Sequence, residues 1–83
     1  MKFLLLDTRN DRHYTGDSTV ELARRAGVKF DTAARRAVIN GRPDGVTIGT
    51  DYSDDEMVIE IAKRAVHVLT RDHGFVLYRK DGF

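Results

Sequence analysis

The side chains that most often carry catalysis or bind metal ions are sparse in this 83-residue chain. It has no cysteine, and its three histidines are His13, His67 and His73. Thiolate ligands, cysteine nucleophiles and disulfides are therefore excluded. His67 and His73 are six residues apart, which is neither the i, i+4 pair of a zinc-binding helix nor the spacing of a zinc finger. We expect structural histidines, no catalytic residue, no metal site and no cofactor, and hence a protein that is not an enzyme.

An acidic cluster precedes the longest predicted helix, and its members are Asp51, Asp54, Asp55 and Glu56. Such a run can begin a calcium loop of the EF-hand type, but the central glycine that this loop needs does not follow. Ser53 and Glu56 instead have the spacing of a capping box, in which each side chain satisfies a backbone donor of the first helical turn. The cluster predicts a helix start and, as an alternative use, an acidic surface for binding a protein.

Basic side chains concentrate between residues 18 and 45, which carry six lysines and arginines against three acidic residues. The segment therefore has a formal charge of +3, whereas residues 46–83 have −2. Arginines exposed on a helix can contact base edges, and flanking basic residues can contact phosphates. The sequence predicts a DNA-binding surface formed by Lys29, Thr32, Arg35, Arg36 and Arg42.

Two short helices joined by a turn are predicted to position these basic residues. Ser18 and Glu21 form a capping box at the start of the first helix. Gly27 can adopt the left-handed conformation that ends it. Asp31 can cap a second helix that closes at Asn40-Gly41. The basic face of that second helix would then be exposed.

Further elements are predicted on both sides of the helical pair. Short apolar or alternating runs indicate strands over Lys2–Asp7, His13–Thr15, Val46–Thr50 and Phe75–Tyr78. Apolar residues at helical spacing predict a longer helix over Asp54–Thr70. The order is β(β)–α–α–β–α–β, which is typical of a small α+β domain with a short sheet. The predicted core contains Leu22, Val28, Ile61, Ala65 and Leu77.

Residues 14–41 resemble the helix-turn-helix family over about a third of the chain. The resemblance lies in Glu21-Leu22-Ala23, Gly27-Val28, Thr32 and Arg35-Arg36. It extends to small phage-type proteins in which a segment like Tyr14-Thr15-Gly16 precedes the motif and an Asn-Gly like Asn40-Gly41 closes it. The resemblance implies a second helix that lies against DNA.

Length and composition predict one globular domain spanning residues 1–83. Hydrophobic residues make up 41% of the chain and charged residues 33%, which argues against a disordered chain. The run Phe3–Leu6 is far shorter than the roughly 18 residues of a membrane span, and Asp7 ends it before it reaches the length of a signal peptide. We expect a cytoplasmic protein with no membrane contact. A homodimer would bury extra apolar area in so small a domain.

These patterns predict a small DNA-binding protein of transcription-regulator type, from a phage or mobile element, with double-stranded DNA as its partner. The alternative is a small protein that inhibits a host protein by binding it without catalysis, as anti-CRISPR proteins and host-enzyme inhibitors do. In that case the acidic cluster would form the binding surface.

Overall fold

Two helices and two small antiparallel sheets make up the fold in the computed structural model, which describes residues 2–80. The predicted α+β class is confirmed. The elements are β1 (Phe3–Asp7), β2 (Arg12–Gly16), α1 (Thr19–Arg25), β3 (Lys29–Asp31), β4 (Arg36–Ile39), β5 (Arg42–Pro43), α2 (Asp54–Asp72) and β6 (Phe75–Arg79).

The first sheet has the strand order β2-β1-β6, with β1 in the centre. Leu5 of β1 lies opposite Tyr14 of β2 and Leu77 of β6, and its side chain is fully buried. Side chains alternate between the two faces of a strand, so Phe3, Leu5 and Asp7 share one face. The helices cover the sheet, since α1 packs on β1 and β2 and α2 packs on β6.

Both helices begin at the predicted serine caps. The Ser18 hydroxyl accepts a hydrogen bond from the Glu21 N–H at 3.2 Å, and the Ser53 hydroxyl accepts one from the Glu56 N–H at 3.3 Å. Each bond satisfies a backbone donor that the helix leaves open. Gly27 follows α1 with a φ of 89°, which a residue with a Cβ adopts only at a cost.

The predicted second helix of the helix-turn-helix is wrong, because residues 29–39 form a β-hairpin. In its register, Phe30 of β3 faces Ala37 of β4. The Asp31 carboxylate accepts the Ala34 N–H at 3.0 Å, which is the kind of bond expected of a helix cap. Arg35 then adopts a φ of 56°. A left-handed residue cannot continue a right-handed helix, so the chain reverses after a single turn.

The predicted strand over Val46–Thr50 is also wrong. This segment is irregular, and it is held through its backbone: the Ile48 N–H donates to the Arg35 carbonyl at 2.8 Å. The Val46 N–H donates to the Asp44 carboxylate at 3.0 Å. Because these bonds lead to a turn and to a side chain rather than to a neighbouring strand, no ladder forms. The short strand β5 completes the second sheet, in the order β3-β4-β5.

The core lies between α2, α1 and the two sheets. Four of the predicted core residues, Leu22, Val28, Ile61 and Ala65, are buried. Leu77 is half-buried and packs against the edge of this cluster. The side chains of Leu5, Leu22 and Ile61 are the largest that are fully buried, so the core joins the first sheet to both helices.

Candidate functional site

Arg35 lies in the hairpin turn and is bound to the loop that precedes α2. Its guanidinium donates hydrogen bonds to the carbonyl oxygens of Ile48 at 3.3 Å, Gly49 at 3.0 Å and Tyr52 at 3.3 Å. These bonds direct the charge of Arg35 toward the protein's own backbone. They use the Nε and Nη2 donors, so only the N–H groups of Nη1 remain for a contact with DNA.

The hairpin turn also lies beside the start of α2. A groove of about 410 Å³ is lined by Thr32 and Arg35 on one side and by Asp54 and Asp55 on the other. The two carboxylates beside the predicted DNA-binding residues would repel a phosphate brought into this groove. The rest of the acidic cluster is exposed as well, and the carboxylate of Glu56 accepts a hydrogen bond from the Ser53 hydroxyl at 2.8 Å. Protein binding by this cluster remains a prediction.

Arg36 does not share a surface with Arg35. It lies on β4 opposite Asp31 and is half-buried. Its Nε is buried and has no hydrogen-bond partner among residues 2–80. The hairpin thus separates two arginines that the predicted helix would have exposed together.

The other two predicted DNA-binding residues, Lys29 and Arg42, are exposed. Neither side chain forms a hydrogen bond or ion pair with another residue of the range 2–80, although both backbones belong to the second sheet. Arg42 lines a groove of about 470 Å³, together with Asn40 and His73. Lys29 directly follows Val28, which lines a second cavity beside this groove.

That neighbouring cavity has a volume of about 240 Å³ and brings together the ends of α1 and α2. Arg9, Arg12, Asn40 and His73 contribute to its walls. Asn40 and His73 line both cavities, so the two adjoin. We call the three exposed cations that line them, Arg9, Arg12 and Arg42, together with the exposed Lys29 that follows Val28, the basic end.

Several carboxylates near the basic end already accept hydrogen bonds or form ion pairs within the protein. Asp7 is 4% exposed, and it accepts the side-chain amide of Asn10 at 2.8 Å. This bond, with backbone N–H donors of the same turn, holds the pKa of Asp7 below its usual value. Asp72 is bound by Arg71 at 2.8 Å, which lowers the pKa of Asp72.

The carboxylate of Asp44, which lines the groove beside Arg42, is occupied in the same way. Its side chain is fully buried and bound by Arg64 at 2.8 Å. Asp11, in the turn between β1 and β2, is exposed. The basic end therefore carries more free positive than free negative charge.

Sequence reasoning missed Arg9 and Arg12. Both belong to the polar segment between the first two strands, and each looks like an ordinary surface residue in the sequence. The turn between two antiparallel strands lies at one end of the sheet. If this turn had been placed at the same end of the molecule as the predicted helix ends, Arg9 and Arg12 would have been found beside them.

The histidines do not form a cluster. His13 lies on β2, and His67 lies on α2. Within residues 2–80, no group of three histidine, aspartate or glutamate side chains is arranged to hold a metal ion. In the same range, neither helix has the length and apolar character needed to cross a membrane.

Comparisons of the chain with protein-family models, curated proteins and solved structures found no match.

Proposed function

We propose that this protein binds double-stranded DNA through the basic end rather than through a helix-turn-helix. The observation that carries the proposal is the convergence of Arg9, Arg12 and Arg42 on two adjoining cavities, with the exposed Lys29 next in the chain to Val28, which lines one of them. These cations come from separate segments of the chain, yet none has an ion-pair partner within residues 2–80. Arg12 lies opposite Asp7, and its charge helps to lower the pKa of that carboxyl. Cations without a direct ion pair are suited to neutralise phosphates.

The distribution of charge along the molecule also favours DNA binding at the basic end. The acidic cluster lies at the start of α2, and the basic end lies where α2 stops. In the field of a polyanion such a molecule orients its basic end toward the phosphates. Contacts with phosphates fix position and do not read sequence. We therefore expect weak discrimination between DNA sequences.

Binding of a short fluorescein-labelled duplex of random sequence, followed by anisotropy at low salt, tests the proposal. Arg12→Gln and Arg42→Gln should each weaken binding, and together they should reduce the log–log salt slope by about 2, because each lost phosphate contact contributes about 0.9. Lys80→Gln is the matched control, since it removes the same charge from an exposed site outside the basic end.

Two results contradict the proposal. One is the absence of duplex binding by the unchanged protein at low salt. The other is an equal loss in Lys80→Gln and in the variants of the basic end, which would mean that net charge alone controls binding.

A further inference from the structure

A groove of about 780 Å³ runs between α2 and β6, along the side of the first sheet. The helix contributes residues spaced to share one face, Lys63, Val66, His67 and Thr70. The strand contributes the second wall. A groove with a helix on one side and a strand on the other can hold an extended polypeptide beside the strand.

The strand wall of this groove is a sheet edge with open hydrogen-bonding groups. Within residues 2–80, β6 pairs with β1 only. The Lys80 N–H donates to the Lys2 carbonyl, and the Thr8 N–H donates to the Gly74 carbonyl. Hydrogen-bonded and non-hydrogen-bonded pairs alternate along an antiparallel ladder. The even-numbered residues of β6 therefore bond to β1.

It follows that the N–H and C=O groups of Phe75, Leu77 and Arg79 point away from β1. No hydrogen bond to these groups exists among residues 2–80. An edge with open donors and acceptors can pair with another chain. Adding a strand there would satisfy these groups and continue the sheet.

The side chains in the groove indicate what such a strand would carry. Phe3, Phe75 and Leu77 are half-buried apolar residues that line it. Side chains of an added strand point alternately to the two faces of the sheet. Every second residue of the bound segment would meet these apolar groups, so apolar side chains are expected at alternate positions.

The charge of the groove is of one sign. Lys63 and Arg79 line it, and no aspartate or glutamate does so among the described residues. Lys63 has one exposed contact with Glu60 at 3.5 Å, and an exposed pair of this kind is weak and readily exchanged. The complementary ligand therefore carries a carboxylate near these two cations.

We propose that this groove binds an extended segment of a partner protein, which pairs with the free edge of β6. The segment has apolar side chains at alternate positions and an acidic residue that meets Lys63 and Arg79. This interaction is separate from DNA binding, because the basic end contributes no residue to the ionic contact.

The probe is a peptide selected from a library of random decapeptides displayed on phage, with the whole chain immobilised. We expect enrichment of sequences with alternating apolar residues and an acidic residue at one end. The selected peptide, made synthetically, is then added to the isotope-labelled protein, and amide hydrogen exchange is followed by NMR. Phe75, Leu77 and Arg79 should become protected. Val76 and Tyr78 serve as internal controls, since their N–H groups already face β1.

Charge reversal tests the ionic contact independently of the backbone. Lys63→Glu combined with Arg79→Glu should weaken the peptide by about tenfold or more, equivalent to about 1.4 kcal/mol. Lys80→Glu is the matched control, because it makes one such reversal outside the groove, and it should change affinity little. Thermal melts of the variants establish that they are folded.

Three outcomes overturn the proposal. The first is that no peptide is enriched above the support alone. The second is that the selected peptide protects amides elsewhere in the protein. The third is a dimeric free protein in which Phe75 and Leu77 are already protected, which would mean that a second copy occupies the edge.

Discussion

Replacement of Arg35 by alanine and by glycine distinguishes a hairpin turn from a helix at this position. Alanine removes hydrogen bonds from the guanidinium to three carbonyls. Bonds from charged groups contribute about 1.5–3 kcal/mol each when buried, and ordinary ones about 0.5–1.5. Two of the three are 3.3 Å long and two are exposed. We therefore assign each bond a contribution near the low end of the range for ordinary hydrogen bonds. Arg35→Ala should therefore lower the free energy of unfolding by about 2 kcal/mol.

Glycine at the same position removes the same bonds but tolerates the left-handed backbone. Arg35 has a φ of 56°, which costs a residue with a Cβ roughly 1–2 kcal/mol. Glycine avoids that cost and loses part of the gain through its greater freedom in the unfolded chain. Arg35→Gly should be more stable than Arg35→Ala by about 1 kcal/mol. In a helix the order reverses, since glycine is about 1 kcal/mol worse than alanine there.

Urea unfolding followed by circular dichroism measures both variants, with the slope m checked for constancy so that midpoints report stability. A gap of 1 kcal/mol corresponds to about 4–8 °C in Tm for a domain of this size. An alanine variant more stable than the glycine variant would refute the hairpin. Two variants as stable as the unchanged protein would refute the role of Arg35 in holding the loop.

Two further predictions concern the core and the acid limb of stability. Ile61→Ala should lower the free energy of unfolding by about 2–5 kcal/mol. Ile59 is 44% exposed, so Ile59→Ala should change it by less than about 0.5 kcal/mol. Equal melting temperatures for the two variants would contradict the packing of α2. The depressed pKa of Asp7 stabilises the fold above the pKa of the unfolded chain, and this contribution is lost as pH falls through the folded value. Asn10→Ala removes the largest cause of the depression, so urea midpoints should fall less between pH 7 and acid pH in this variant than in the unchanged protein, and an equal or larger fall would contradict the assignment.

Elements with a strong local signal could be predicted from the sequence. The serine caps Ser18 and Ser53 each start a helix because the acceptor and the N–H three residues later lie within one turn. The apolar face of α2 follows from its helical periodicity, and strand β1 follows from an apolar run too short for a helix. Such signals depend on residues close in sequence, so they need no knowledge of the tertiary structure.

The hairpin could not be predicted in the same way. Asp31 makes the bond to the Ala34 N–H that a helix cap and an isolated turn have in common. The two outcomes differ only at Arg35, whose left-handed conformation is held by a loop distant in sequence. A helix of so few residues is marginal by itself, and as strand β4 the segment packs on α2 and buries Ala37 and Ile39 in the core.

The candidate sites depend on tertiary structure in the same manner. Arg12 and Arg42 are 30 residues apart in the sequence, and adjoining cavities bring them together. The predicted DNA-binding group shares Lys29 and Arg42 with the basic end. Its members in the hairpin turn lie beside the acidic cluster instead, because the hairpin directs its turn toward the start of α2.

Chemical-shift mapping by NMR, with a short duplex of random sequence titrated into the isotope-labelled protein at low salt, tests most directly whether the basic end binds DNA. We predict the largest shifts at Arg9, Arg12, Lys29 and Arg42, reversed by added salt, with Asp54 and Asp55 unchanged. Shifts centred on Thr32 and Arg35 instead, or no shifts at any duplex concentration, would contradict the proposed surface.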